Sequence, residues 1–91
     1  MRRLPRDQKY LMAVGLAIRV LRTAANLSQE GLAEKADLHR TYIGSVERGE
    51  KNVTVLSLLH IAKALKITPA AILSKAEQIL KNDTRIRSRK K

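Results

Sequence analysis

Ninety-one residues make one small domain, and 19 Lys and Arg against 8 Asp and Glu give it a formal charge of +11. With no cysteine in the chain, disulfide scaffolds, thiolate zinc sites and thiol catalysis are excluded together. Apolar residues are 44% of the total but only Tyr10 and Tyr42 are aromatic, so Leu, Ile, Val and Ala must fill the core, which suits packed helices better than a sheet.

The charge is concentrated at the ends. Residues 1–9 carry Arg2, Arg3, Arg6 and Lys9 against Asp7, and residues 81–91 carry Lys81, Arg85, Arg87, Arg89, Lys90 and Lys91 against Asp83. Potential of this sign calls for an anionic partner, nucleic acid or an acidic membrane surface. Residues 1–6 read as a basic tail. The run from Tyr10 to Ile18 behind these basic residues superficially resembles a secretory signal. Arg19 and Arg22 interrupt it, however, and the apolar pattern then resumes at helical spacing. The run is also too short to cross a bilayer.

The first helix is predicted at roughly 7–25, with Leu11, Val14, Ile18 and Leu21 as its apolar stripe and Asn26 as its left-handed stop. Ser28 reads as the N-cap of a short helix from Gln29 to Ala36. A break at Asp37-Leu38-His39 precedes a third helix, Arg40 to Arg48, ended by Gly49. Glu50-Lys51-Asn52 is a polar loop. Thr54 caps a fourth helix carrying Leu56, Leu59, Ala62 and Leu65. Thr68-Pro69 restarts the chain, since proline at the first helical position gives up an amide that had no partner. Ile72, Leu73, Ala76, Ile79 and Leu80 mark the fifth helix, 69–80. Residues 81–91 are a basic tail of polar composition, expected to be disordered when free. The expected fold is all-α, a compact five-helix bundle over residues 7–80.

The span 29–48 carries the functional signal. Two short helices crossing steeply at a tight turn need apolar groups at fixed positions. Counting Gln29 as one, positions four, eight, ten, fifteen and eighteen hold Leu32, Ala36, Leu38, Ile43 and Val46. Position five must be small where the helices approach, and it is Ala33. Position nine must turn left-handed, and Asp37 is a permitted substitute for glycine. This spacing is specific to a helix-turn-helix.

On those residues the chain resembles a known family. Leu27-Ser28-Gln29-Glu30, Leu32-Ala33 and the segment from Tyr42 to Gly49 are similar to the Cro/CI-type (Xre-type, lambda-repressor-like) helix-turn-helix proteins, over roughly residues 12–73. Leu38 to Ile43, followed by Glu47 to Thr54, is most similar to the controller proteins of restriction–modification systems. The resemblance implies a homodimer that binds a two-fold operator and regulates transcription. The chain departs from the family pattern at His39, where controllers usually carry Asp, and at Asn26 and Asp37, each in place of a customary Gly.

Candidate roles follow from position. Arg40 begins the second helix of the motif, the end that enters the major groove, where its guanidinium suits a bidentate contact to guanine. Thr41 and Ser45 are expected on the same outward face as further base contacts. Gln29 at a helix N-terminus, Tyr42, and Lys51 and Asn52 in the loop are candidates for phosphate. Ile72, Leu73, Ile79 and Leu80 on the fifth helix divide between the core and a two-fold dimer contact. Catalysis, a cofactor and a metal site find no support: His39 and His60 lack companions at ligand spacing, and Gly15, Gly31, Gly44 and Gly49 form no phosphate-cradling loop. The expected partner is double-stranded DNA in a prokaryotic cytoplasm, with no membrane and no small-molecule ligand. A phage-type repressor, an antitoxin, and a protein-interaction module on the same fold are the competing readings. RNA binding is disfavoured by the scarcity of stacking aromatics.

Overall fold

The computed structural model describes residues 7–82, and five helices account for most of them: α1 (Gln8–Ala24), α2 (Gln29–Ala36), α3 (Arg40–Glu47), α4 (Val55–Leu65) and α5 (Pro69–Asn82). Each lies where periodicity and capping residues predict it, within two residues at either end. The basic tail expected at 1–6, and residues 83–91 of the one expected at 81–91, lie outside the described residues. Lys81 and Asn82 belong to α5.

Local chemistry sets the helix boundaries. The Ser28 hydroxyl accepts from the Gly31 amide at 2.9 Å, Thr54 Oγ1 from Ser57 at 3.0 Å and Thr68 Oγ1 from Ala71 at 3.1 Å. The first four helices end alike. One or two residues past each end the backbone turns left-handed (Asn26, Asp37, Gly49 and Lys66, φ 61°, 59°, 75° and 61°), and the next amide reaches back to a carbonyl in the last turn. Those closing bonds run from Leu27 to Arg22, Leu38 to Ala33, Glu50 to Ser45 and Ile67 to Ala62. This is the Schellman arrangement, with apolar Leu27, Leu38 and Ile67 turned back onto the core at three of the four ends. Glycine serves only one of them, so Asn26, Asp37 and Lys66 each hold a conformation that costs an L-residue roughly 1–2 kcal/mol.

α1 packs on α5 and α3, while α2 packs on α3 and α4, around a core led by Ile18, Leu32, Ile43, Ile61 and Ile72, all fully buried. On α1 the face in the core is Ala13, Ala17 and Ile18, with Leu11, Val14 and Leu21 only half-buried. Small residues prevail there because the backbones approach closely. A Cβ on Gly15 would overlap the Val46 carbonyl oxygen and stand 2.8 Å from that of Glu47. On α4 the structure corrects the expected stripe: Leu58, Ile61, Ala62 and Leu65 are buried, whereas Leu56 and Leu59 are exposed. Both sets have helical spacing, and a helix apolar nearly all round does not declare which side faces inward.

Candidate nucleic-acid interface

α2 and α3 form the predicted helix-turn-helix. Asp37 makes the left-handed turn, and the Leu38 amide closes it at 2.9 Å on the Ala33 carbonyl. His39 precedes α3 in extended conformation and supplies no side-chain cap. The amides of the first turn of α3 therefore have no side-chain acceptor on their N-cap residue, and that end keeps its positive dipole toward its surroundings.

Arg40 and Thr41, the first two residues of α3, are exposed. From Ile43 onward the helix sinks into the protein, with Ile43, Gly44, Ser45, Val46 and Glu47 all buried. Ser45 therefore departs from its predicted place: it is 8% exposed rather than outward-facing. It shares a helical face with Thr41, but α3 is only eight residues long. The Arg48-Gly49 turn folds the chain back so that the Glu50 amide bonds the Ser45 carbonyl at 2.9 Å, enclosing the last turn.

The guanidinium of Arg40 is paired. Its Nε lies 3.0 Å from Glu30 Oε2, with both side chains more than half exposed. This engages one edge of the fork and leaves both Nη groups to donate elsewhere. Tyr42 is half-buried, and its phenolic oxygen accepts from the Thr54 amide at 3.3 Å, tying α3 to the loop before α4. Its own O–H remains a donor. Lys51 and Asn52 stand exposed in that loop. Gln29 is half-buried and its Nε2 donates to Glu47 Oε1 at 3.0 Å, so its side-chain amide is committed within the protein rather than turned wholly to solvent.

That last contact belongs to a buried network the sequence pattern did not reveal. Glu47, 2% exposed at its side chain, receives Arg22 Nε at 2.7 Å and Nη2 at 3.0 Å as well as Gln29. Arg22 Nη1 also donates to the Leu27 carbonyl at 2.8 Å. The hydrogen bond to Glu47 raises the Arg22 pKa above its ordinary value, outweighing the burial that would lower it. Three helices are thereby fixed at one point: α1 through Arg22, α2 through Gln29 and α3 through Glu47. A signal did exist in the sequence. Arg22 follows Ile18 by four, and Glu47 follows Ile43 by four, so each charge sits on the apolar face of its helix.

Beyond the turn, Arg48 and Glu50 form an exposed two-pronged pair at 3.0 and 3.1 Å. Arg48 holds the Glu50 carboxyl below its usual range. The histidines have separate settings: His60 Nδ1 lies 3.1 Å from the Ala36 carbonyl, tying α4 to the end of α2, while His39 is exposed. On α5 the residues predicted for a dimer contact divide. Ile72 is 0% exposed, which removes it from a surface contact, because α5 packs on α1 and α4 and this residue is buried in the core. Ile79 and Leu80 are half-buried against the core, and Leu73 is exposed.

With the motif and its outward-facing end defined, comparison with known proteins is decisive. The helix-turn-helix family model matches residues 18–72. The control protein C.SmaI of Serratia marcescens is 53% identical over 77 residues, spanning 85% of this chain and 87% of its own.

The chain belongs to the helix-turn-helix controller proteins.

The control protein C.BamHI of Bacillus amyloliquefaciens is 45% identical over 60 residues, 65% of this chain and 74% of its own. Among solved structures, the restriction–modification controller protein C.AhdI from Aeromonas hydrophila superposes with a TM-score of 0.67 at 47% identity, covering 68% of this chain and 94% of its own. In this helix-turn-helix family the motif is the DNA-binding unit, and here that unit is α2 and α3. Among the described residues no single helix is long and apolar enough to cross a membrane.

Proposed function

We propose that the protein binds a two-fold DNA operator as a homodimer, in the cytoplasm and at the nucleoid, and controls transcription of a restriction–modification system. The observation that carries this reading is the division of α3: two exposed residues at its start, Arg40 and Thr41, and five consecutive buried ones behind them. Side chains on a helix so anchored are presented at fixed height and angle, as base readout in the major groove requires.

Arg40 and Thr41 are the base-reading residues, with the Arg40 Nη groups donating to guanine. Lys51, Asn52 and the Tyr42 hydroxyl contact phosphates, fixing register without reading sequence. Gln29 contributes the amides of the α2 N-terminus, while its side chain braces Glu47. Ser45 supports the helix from inside. The strong similarity to C.SmaI and C.BamHI, both named as control proteins, favours the restriction–modification assignment over an antitoxin.

Selection of bound duplexes from a random-sequence pool tests this reading. The expected product is a two-fold repeat with half-sites about one helical turn apart, or a multiple of that, which outcompetes random duplex and single-stranded RNA. Its affinity should fall steeply as salt rises. A pool that yields no shared sequence would refute base-specific recognition.

A further inference from the structure

The first turn of α2 stands on α3. Gln29 donates to the buried Glu47 carboxylate, and a Cβ on Gly44 of α3 would lie only 3.5 Å from Gln29 Oε1. Ser28 caps the same turn through the Gly31 amide. Glu30, between them in sequence, is therefore carried on a fixed base. Its side chain is 67% exposed, yet its Oε2 lies 3.0 Å from Nε of Arg40 at the start of α3. The same carboxylate acts on Arg22, whose pKa is raised first by the bond to Glu47 and least by the charge of Glu30. Glu30 thus stands within electrostatic reach of two arginines, one largely buried and one at the DNA-reading end.

An exposed pair of this kind adds little to folding. A carboxylate beside the reading helix also opposes the approach of a phosphate backbone. Neither stability nor raw affinity therefore favours Glu30 at this place, and what it supplies is geometry. A guanidinium can meet guanine end-on, through its two Nη groups, or edge-on, through Nε and one Nη. With Nε held by Glu30 the edge-on approach is closed, and the long Arg40 stem loses part of its rotamer freedom before DNA arrives.

We propose that Glu30 is a positioning residue that sets the base specificity of Arg40, its carboxylate gripping Nε so that the fork is presented end-on to one guanine in each half-site. The inference rests on the reading of Arg40 as a base contact and names the residue that aims it. The pair tightens when docking excludes water, because the two charges then interact at a lower effective dielectric. At a half-site without that guanine, the Nη groups lose water and gain no acceptor, while Glu30 still faces the phosphates. Glu30 lowers affinity for every sequence, and least for the right one.

Glu30→Gln and Glu30→Ala, each alone and combined with Arg40→Ala in the full chain, test this by fluorescence anisotropy. The duplexes are the selected operator, the operator changed at the base pair that Arg40 reads, and random sequence. Both Glu30 variants lack the charge, so both should bind random duplex several-fold more tightly. Glu30→Gln keeps a carbonyl acceptor for Nε and should retain most of the preference for guanine, whereas Glu30→Ala should reduce that preference about tenfold. With Arg40→Ala already present, neither Glu30 change should alter preference at that base pair. Urea unfolding of both Glu30 variants should match wild type, which separates aiming from folding. Full preference in Glu30→Ala, or an equal loss in Glu30→Gln and Glu30→Ala, would overturn the inference. The two readings separate on Arg40 itself. If Arg40→Ala keeps the base preference, the base-contact reading fails; if Arg40→Ala loses it and Glu30→Ala does not, the positioning role alone is defeated.

Discussion

Glu47 is the side chain whose loss should be felt most. Its carboxylate is 2% exposed and accepts three hydrogen bonds, two from Arg22 and one from Gln29, at 2.7 to 3.0 Å. Removing one member of a buried ion pair strands the other charge at a cost of about 3–5 kcal/mol. Glu47→Gln keeps the volume and one carbonyl acceptor, so its cost falls toward the lower end, about 3 kcal/mol. A chain of this length has on the order of 5–14 kcal/mol of stability in all. The substitution should lower the thermal midpoint by about 10–20 °C. Because the Arg22 pKa is raised above its ordinary value, the guanidinium's share of the interaction is lost only in strong alkali, so neutral pH does not modulate it. Urea unfolding followed by far-UV circular dichroism measures the effect, with an unchanged slope expected. Pairing Glu47→Leu with Arg22→Met should restore much of the stability, since an apolar pair leaves no charge unpaired. If Glu47→Gln unfolds within 0.5 kcal/mol of wild type, the reading of this network as the clamp on α3 is wrong.

Gly15→Ala should destabilise by several kcal/mol, because its Cβ meets backbone carbonyls of α3 rather than a movable side chain; thermal unfolding measures this. Lys66→Gly should stabilise by about 1 kcal/mol by relieving a left-handed lysine at the end of α4, visible as a higher urea midpoint. Glu30→Gln should leave unfolding within about 0.5 kcal/mol of wild type, since its pair with Arg40 is exposed. The same change should raise affinity for random duplex several-fold by removing a carboxylate beside the reading helix, as fluorescence anisotropy would record.

The sequence made the five helices legible because their signals are local: Ser28, Thr54 and Thr68 cap, Asn26, Asp37 and Gly49 terminate, and the helix-turn-helix spacing is a close geometric constraint. Lys66 gave no such warning, since lysine is not a usual left-handed residue. The inward side of α4 was ambiguous because Val55, Leu56, Leu58, Leu59 and Ile61 surround the helix with apolar groups. Ser45 was misplaced for a different reason: periodicity puts it beneath Thr41, but only the folded chain shows the turn after α3 closing over that end. Arg40 and Thr41 stand exposed at the start of α3, where their place in the motif puts them. The Arg22–Glu47 pairing spans twenty-five positions, and its partners are chosen by how α1 crosses α3, which one-dimensional spacing does not encode.

In the proposed function the first turn of α3 reads bases through Arg40. Comparing wild type and Arg40→Ala on the selected operator, and on variants changed one base pair at a time, tests it most directly. A loss of about 1–3 kcal/mol on the operator is expected, with preference relaxed at one base pair in each half-site and a smaller loss on random duplex from the removed charge. Undiminished affinity with the same base preferences, in a protein that folds normally, would contradict it.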